Sequence, residues 1–192
     1  MRWRRHGVLV APADFIPLAE ETGLIVPLSE WALREAARQA RIWQDAFGFA
    51  ETIAVNLPNR LFERIDLVET IHQVVTQHGV PHHAIELEIT ETTLMLDAER
   101  TLPLLDELRA MGVHLSIDDF GTGYSSLSAL QQFPIGTLKI DQSFVRNAAT
   151  DPDDATIVRT IIEMGRSLGL QVLAEGIETE EQRDFRLQRG CP

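Results

Sequence analysis

Two adjacent carboxylates, Asp118 and Asp119, end the apolar run His114-Leu115-Ser116-Ile117, and the glycine-rich stretch Phe120-Gly121-Thr122-Gly123-Tyr124-Ser125-Ser126 follows at once. Neighbouring side chains of a strand point to opposite faces, so the two acids cannot continue one strand face. A strand that stops at Asp118 lets the turn swing both acids toward one cleft. Paired carboxylates in a cleft suit a divalent cation such as Mg²⁺ or Mn²⁺. Taken alone, the stretch reads equally well as an acidic surface turn, because Asp and Gly are ordinary turn residues.

The elements that would position these acids repeat as strand then helix, as in βαβ units. Strands are expected over 52–57, 85–91, 114–118, 137–141 and 171–176. Helices are expected over 29–47, 61–78, 97–111, 125–132 and 151–168, with a last one opened by Thr179 and Gln182 as a capping box. Residues 15–28 mix apolar and acidic side chains and are expected to end near Pro27. This alternation predicts a parallel sheet, either doubly wound or closed into a barrel.

Each complete strand ends in a side chain able to bind a metal or do chemistry: Asn56, Glu88, Asp118 with Asp119, Lys139 with Asp141, and Glu175. Parallel α/β sheets carry their active sites at the carboxyl ends of strands. Any one of these residues could be a helix cap. The same choice at the end of five strands is harder to explain as capping, and capping does not account for Lys139. Other signals are weaker. The six histidines show no metal-ligand spacing, and His72, His78, His82 and His83 read as surface groups. Asp119-Phe120-Gly121 lacks the companion motifs of a kinase. Trp3, Trp31 and Trp43 read as core or packing residues rather than a base-stacking platform.

Composition narrows the function classes. The 192 residues suffice for one domain, and 44% hydrophobic with 24% charged residues is ordinary for a globular protein. A net charge of −12 argues against non-specific binding to DNA and against an anionic membrane surface. The single cysteine, Cys191, fits a reducing cytoplasm, and no apolar run is long enough to span a bilayer.

Several segments together resemble the EAL domain, the bacterial cyclic-di-GMP phosphodiesterase family. They are Asp14-Phe15-Ile16-Pro17 with residues 20–25, Ala54-Val55-Asn56-Leu57, residues 86–91, residues 118–126, Leu138-Lys139-Ile140-Asp141, and residues 174–178. The resemblance implies a (β/α)8 TIM-like barrel of the EAL type, here a single partial domain over 1–192 with about five full strands plus a remnant at Arg2-Trp3-Arg4. It implies two Mg²⁺ or Mn²⁺ ions held by Asn56, Glu88, Asp118, Asp119 and Asp141. Glu175 resembles the general base or metal-water partner, and Lys139 the lysine supporting the attacking water. Arg2 resembles a substrate-phosphate arginine. Glu91, the loop of Phe120, Gly121, Thr122 and Gly123 up to Ser126, and Glu178 resemble elements that brace the site and couple it to dimerisation.

The implied activity is hydrolysis of cyclic-di-GMP to the linear dinucleotide pGpG in second-messenger signalling, in the cytoplasm. The implied partners are a second copy and an upstream sensor or GGDEF domain. Departures from the family pattern are also visible. The signature Glu-Ala-Leu and a final strand are missing, so truncation at both ends is expected. Those losses support an alternative, an inactive module that binds cyclic-di-GMP or a protein. A glycosidase is a weaker third reading, because the acids outnumber what that chemistry needs.

Overall fold

In the computed structural model, residues 1–123, 127–148, 150–187 and 191 are described, and the chain divides into two compact units, residues 1–87 and 88–192. The first unit opens with a hairpin. Strand β1 (Trp3–Arg5) pairs antiparallel with β2 (Val8–Val10), with Trp3 opposite Val10. His6 and Gly7 both take positive φ between the strands, 48° and 84°, as a tight two-residue hairpin turn requires. The expected barrel-strand remnant at Arg2-Trp3-Arg4 is thus a local ribbon instead.

Helix α1 (Pro12–Thr22) follows, and α2 (Ile25–Phe47) begins at Ile25 rather than Ser29. Pro27 lies in the first turn of α2, where a missing N–H removes no helical bond, so it does not stop the preceding segment as expected. Ile25, Ser29, Leu33, Ala37 and Ala40 recur at helical spacing and are the buried stripe of α2. That stripe packs α2 against strand β3 (Ile53–Asn56) and helix α4 (Leu67–His78). The single helix expected over 61–78 is two, α3 (Asn59–Phe62) and α4. Between them Arg64 holds Asp66 through two bonds of 2.7 and 2.8 Å and also pairs with Glu30. The three tryptophans are packing residues at the surface rather than in the core. Trp3 meets the edge of Phe15 and Trp43 that of Phe49, while Trp31 stays 57% exposed.

Strand β4 (Ile85–Thr90) runs into the second unit, which continues with α5 (Glu91–Leu96), α6 (Ala98–Ala110), β5 (His114–Phe120), α7 (Leu127–Leu130), β6 (Thr137–Ile140), α8 (Gln142–Asn147), α9 (Pro152–Ser167), β7 (Gln171–Ala174) and α10 (Glu180–Leu187). Strands β4 to β7 lie in chain order, and β6 is parallel to both β5 and β7. Ile89, Leu115, Ile117, Leu138, Ile140 and Val172 form the strand side of this unit's core. Leu94, Leu105, Leu108, Val158, Ile161 and Ile162 cover it from the helices. Tyr124, Ser125 and Ser126, part of the expected short helix and bracing loop, fall outside the described residues. Among the described residues no helix is long and apolar enough to cross a membrane.

One close approach fixes how α9 lies on β7. A Cβ added to Gly165 would stand 2.3 Å from Val172 Cγ2, well inside contact distance. Gly165→Ala is therefore expected to cost about 1–3 kcal/mol through overpacking. A lower denaturant midpoint checks this, and Val172→Ala in the same chain is expected to recover part of the loss.

Candidate active site

The strand carrying the acidic pair does not stop at Asp118. Ile117 stands opposite Leu138, and the next registered pair is Phe120 with Ile140. Two residues of β5, Asp118 and Asp119, therefore face the single residue Lys139 of β6. This is a β-bulge, which bends a strand and re-aims its side chains. Asp119 takes φ 53°, a left-handed conformation that Asp tolerates better than most residues. Its N–H donates to Asp118 Oδ1 at 3.0 Å, and its carbonyl accepts from the Thr122 hydroxyl at 2.9 Å. The bulge resolves the conflict in the sequence: two adjacent acids serve one site because the backbone between them leaves the strand geometry.

Lys139 lies across from this bulge and is only 5% exposed. Its ammonium pairs with the buried Glu88 and, at 2.7 Å, with Glu175 Oε1. A buried cation held by two carboxylates has little freedom to move, so Lys139, Glu88 and Glu175 act as one charged unit.

The aspartates beside them are mutually repelled. Burial, followed by the negative charges of Glu175, Asp119 and Asp141, pushes the Asp118 carboxyl up to about 6. Asp119 is also raised, by burial and by its hydrogen bond and charge contact with Asp141. Burial works against the ionised Asp141 too, but hydrogen bonds from the Ser143 hydroxyl and backbone N–H outweigh it and hold that carboxyl low. Asp141 is at the same time the N-cap of α8. Ser143 was not singled out in the sequence, although the spacing Asp-x-Ser after a strand is a capping signal.

The expected bracing residues divide. Glu91 is buried at 2% exposure, and its Oε2 accepts from the Gly121 N–H at 3.0 Å. A Cβ on Gly123 would stand 2.8 Å from Glu91 Oε1, so the loop closes tightly over this carboxylate. Phe120 is buried, and Gly121 takes φ 100°. Glu178 takes part through its backbone, donating to Gln182 Oε1 at 2.7 Å, while its side chain is exposed. The expected Thr179–Gln182 capping box is present in both directions, at 3.0 and 3.3 Å, and Gln182 also donates to the Arg146 carbonyl.

The second unit thus brings together Glu88, Asp118, Asp119, Lys139, Asp141 and Glu175. Asn56 and Arg2 belong to the first unit. Asn56 ends β3 and borders a cavity with Ser29, Leu57, Leu61 and Arg64, while Arg2 borders a mostly apolar cavity of about 380 Å³ with Trp3, Phe15 and Trp31. Among the described residues no three His, Cys, Asp or Glu side chains stand arranged to hold a metal ion. The donor chemistry nevertheless fits one: hard carboxylate oxygens, crowded enough to raise Asp118 and Asp119, are what a divalent cation would relieve.

Parallel strands, each followed by a helix, with carboxylates and one lysine collected at the strand ends, define an α/β domain with an acidic, cation-seeking site. The EAL domain model matches residues 1–192, and the chain belongs to the EAL domain family, whose fold is TIM-barrel-like. It is 48% identical over 194 residues to MucR of Pseudomonas aeruginosa, named a bifunctional diguanylate cyclase/cyclic di-GMP phosphodiesterase. That match takes in 100% of this chain and 28% of MucR, so the chain spans little more than a quarter of this relative. Among solved structures, the PaMucR phosphodiesterase in complex with c-di-GMP superposes with a TM-score of 0.95 at 46% identity, over 99% of this chain and 77% of that one. The EAL enzyme Bd1971, in its cAMP- and cyclic-di-GMP-bound form, gives 0.94 at 32% identity, over 99% of this chain and 53% of that one.

Proposed function

We propose that this domain is a metal-dependent phosphodiesterase that opens cyclic-di-GMP to linear pGpG. The observation that carries the proposal is the cluster of Glu88, Asp118, Asp119, Lys139, Asp141 and Glu175 around the bulge of β5. Relatives named as phosphodiesterases, and a similar structure with c-di-GMP bound, support it. Asp118, Asp119 and Asp141, with Glu88, would hold two Mg²⁺ or Mn²⁺ ions. Bound there, the ions would supply the positive charge that an anionic phosphodiester needs before a net −12 chain can accept it.

The chain's own groups do the rest. Glu175 takes the proton of the attacking water, and Lys139 holds Glu175 in place. As the water oxygen bonds to phosphorus, the bond to the 3′ oxygen breaks, and that oxygen leaves with the bonding pair and takes a proton from solvent to become a hydroxyl. Glu91 fixes the Gly121 turn and so the acidic pair beside it. Cytoplasmic location, assembly with a second copy, and control by a sensor or GGDEF region of a longer protein belong to the same reading.

The test is incubation with cyclic-di-GMP and Mg²⁺ or Mn²⁺, with pGpG followed by chromatography. Product that wild type forms and Asp118→Asn does not would support the proposal. A specific observation favours a second reading: Lys139 already occupies Glu88, one of the expected ligands. Tight nucleotide binding by a folded chain without turnover would establish that binding module instead.

A further inference from the structure

His72 stands on the exposed face of α4, and His82 is half-buried in the short turn His82–Ala84 that leads into β4. His72 Nδ1 and His82 Nε2 are 3.2 Å apart. The ring planes differ by 12° and the centroids lie 5.3 Å apart, so the rings meet edge to edge with these two nitrogens facing. The plain account is one N–H···N hydrogen bond between imidazoles. The spacing has another use. Two imidazole nitrogens each about 2.0–2.1 Å from one tetrahedral ion stand about 3.3 Å apart. The pair therefore has the separation of neighbouring ligands on one metal; the two lone pairs now face each other, and a turn of each ring about its Cβ–Cγ bond would converge them on the ion.

The support beneath the pair is rigid. Gly79 ends α4 with φ 65°, and the Val80 N–H returns to the Val75 carbonyl at 3.3 Å. The Ala84 N–H bonds the Pro81 carbonyl at 2.9 Å, and the Thr52 hydroxyl holds the His83 carbonyl at 3.0 Å. A site whose backbone is set in advance loses little freedom on binding.

We propose that His72 and His82 form a two-histidine site for a late first-row transition-metal ion, Zn²⁺, Ni²⁺ or Cu²⁺, which staples the end of α4 to the turn opening β4. Imidazole selects these ions, whereas the carboxylates of the second unit select hard ones. The site is independent of the phosphodiesterase reading.

The test uses the whole chain with Cu²⁺ near pH 7, read by electron paramagnetic resonance. Hyperfine structure from two imidazole nitrogens is expected in wild type and in Asp118→Ala, and is expected to be lost in His72→Gln and in His82→Gln. Ni²⁺ is expected to raise the melting temperature of wild type but not of His72→Gln, whose replaced ring is exposed and whose fold is checked by circular dichroism. An unchanged nitrogen signal in His72→Gln would overturn the proposal. So would copper binding that disappears with Asp118→Ala but survives both histidine changes.

Discussion

Lys139→Met is expected to lower the melting temperature by roughly 10 °C. The substitution keeps most of the volume and removes only the ammonium, which leaves the 8%-exposed Glu88 carboxylate buried without its cation. Removing one partner of a buried pair costs about 3–5 kcal/mol, and each kcal/mol moves the melting point of a chain this size by about 2–4 °C. Most of the cost falls on Glu88, because Glu175 is better exposed and can recover water. Glu88→Gln in the same chain is therefore expected to restore most of the loss, while Glu175→Gln restores little. Thermal unfolding of the two double variants separates these outcomes. Equal rescue by both would mean that Lys139 does not discriminate between its two carboxylates.

Asp118→Asn is expected to act in opposite directions on activity and on stability. Under the proposed function, turnover of cyclic-di-GMP is expected to fall on the order of 10²–10³-fold, because one preorganised charge of the cluster is gone. The metal-free protein is expected to become more stable at neutral pH. The sign follows from the raised carboxyl: the folded state holds the Asp118 proton more tightly than the unfolded state, so its favourable contribution is complete below about 4 and lost as pH rises through about 6. The gain from Asn should be absent near pH 4, grow between pH 4 and 6, and stay level above that. A shift of this size corresponds to about 3 kcal/mol for a fully buried group. Asp118 is half-buried, so solvent screening reduces it to about 1 kcal/mol, or roughly 2–4 °C. Melting curves in chelator across this range, compared with saturating Mg²⁺, measure it. Mg²⁺ should favour wild type over Asn and reverse the order.

Much of this cluster of side chains could be read from the sequence because it depends on two simple regularities. Strand–helix alternation placed β3 to β7, and the tendency of parallel sheets to work at their carboxyl ends picked out Asn56, Glu88, Asp118, Asp119, Lys139, Asp141 and Glu175, of which Asn56 belongs to the first unit and the others cluster in the second. The misses have separate physical causes. Pro27 reads as a stop in the sequence, although a proline in a first turn is compatible with a helix. Helix α8 was too short to show periodicity, yet it exists because Asp141 caps it. The path of β5 past Asp118 depended on one backbone angle at Asp119, which no pattern of apolar residues records. The Lys139 pairing with Glu88 required knowing that residues far apart in the chain meet in space, whereas the Thr179–Gln182 cap lay within four residues and was legible.

The bulge also changes what a gap in the gene would do at this point. A surface turn tolerates loss of a codon because its neighbours close up at small cost. Between Ile117 and Phe120 the extra residue is what separates an ordinary ladder from the acidic site. Removing one codon would pair β5 with β6 more regularly and leave the strand better formed, while the remaining acid would sit on whichever face the pleat assigned it. Here the shorter allele would be the better sheet and the poorer site, so a comparison of folding alone would rank the two in the wrong order.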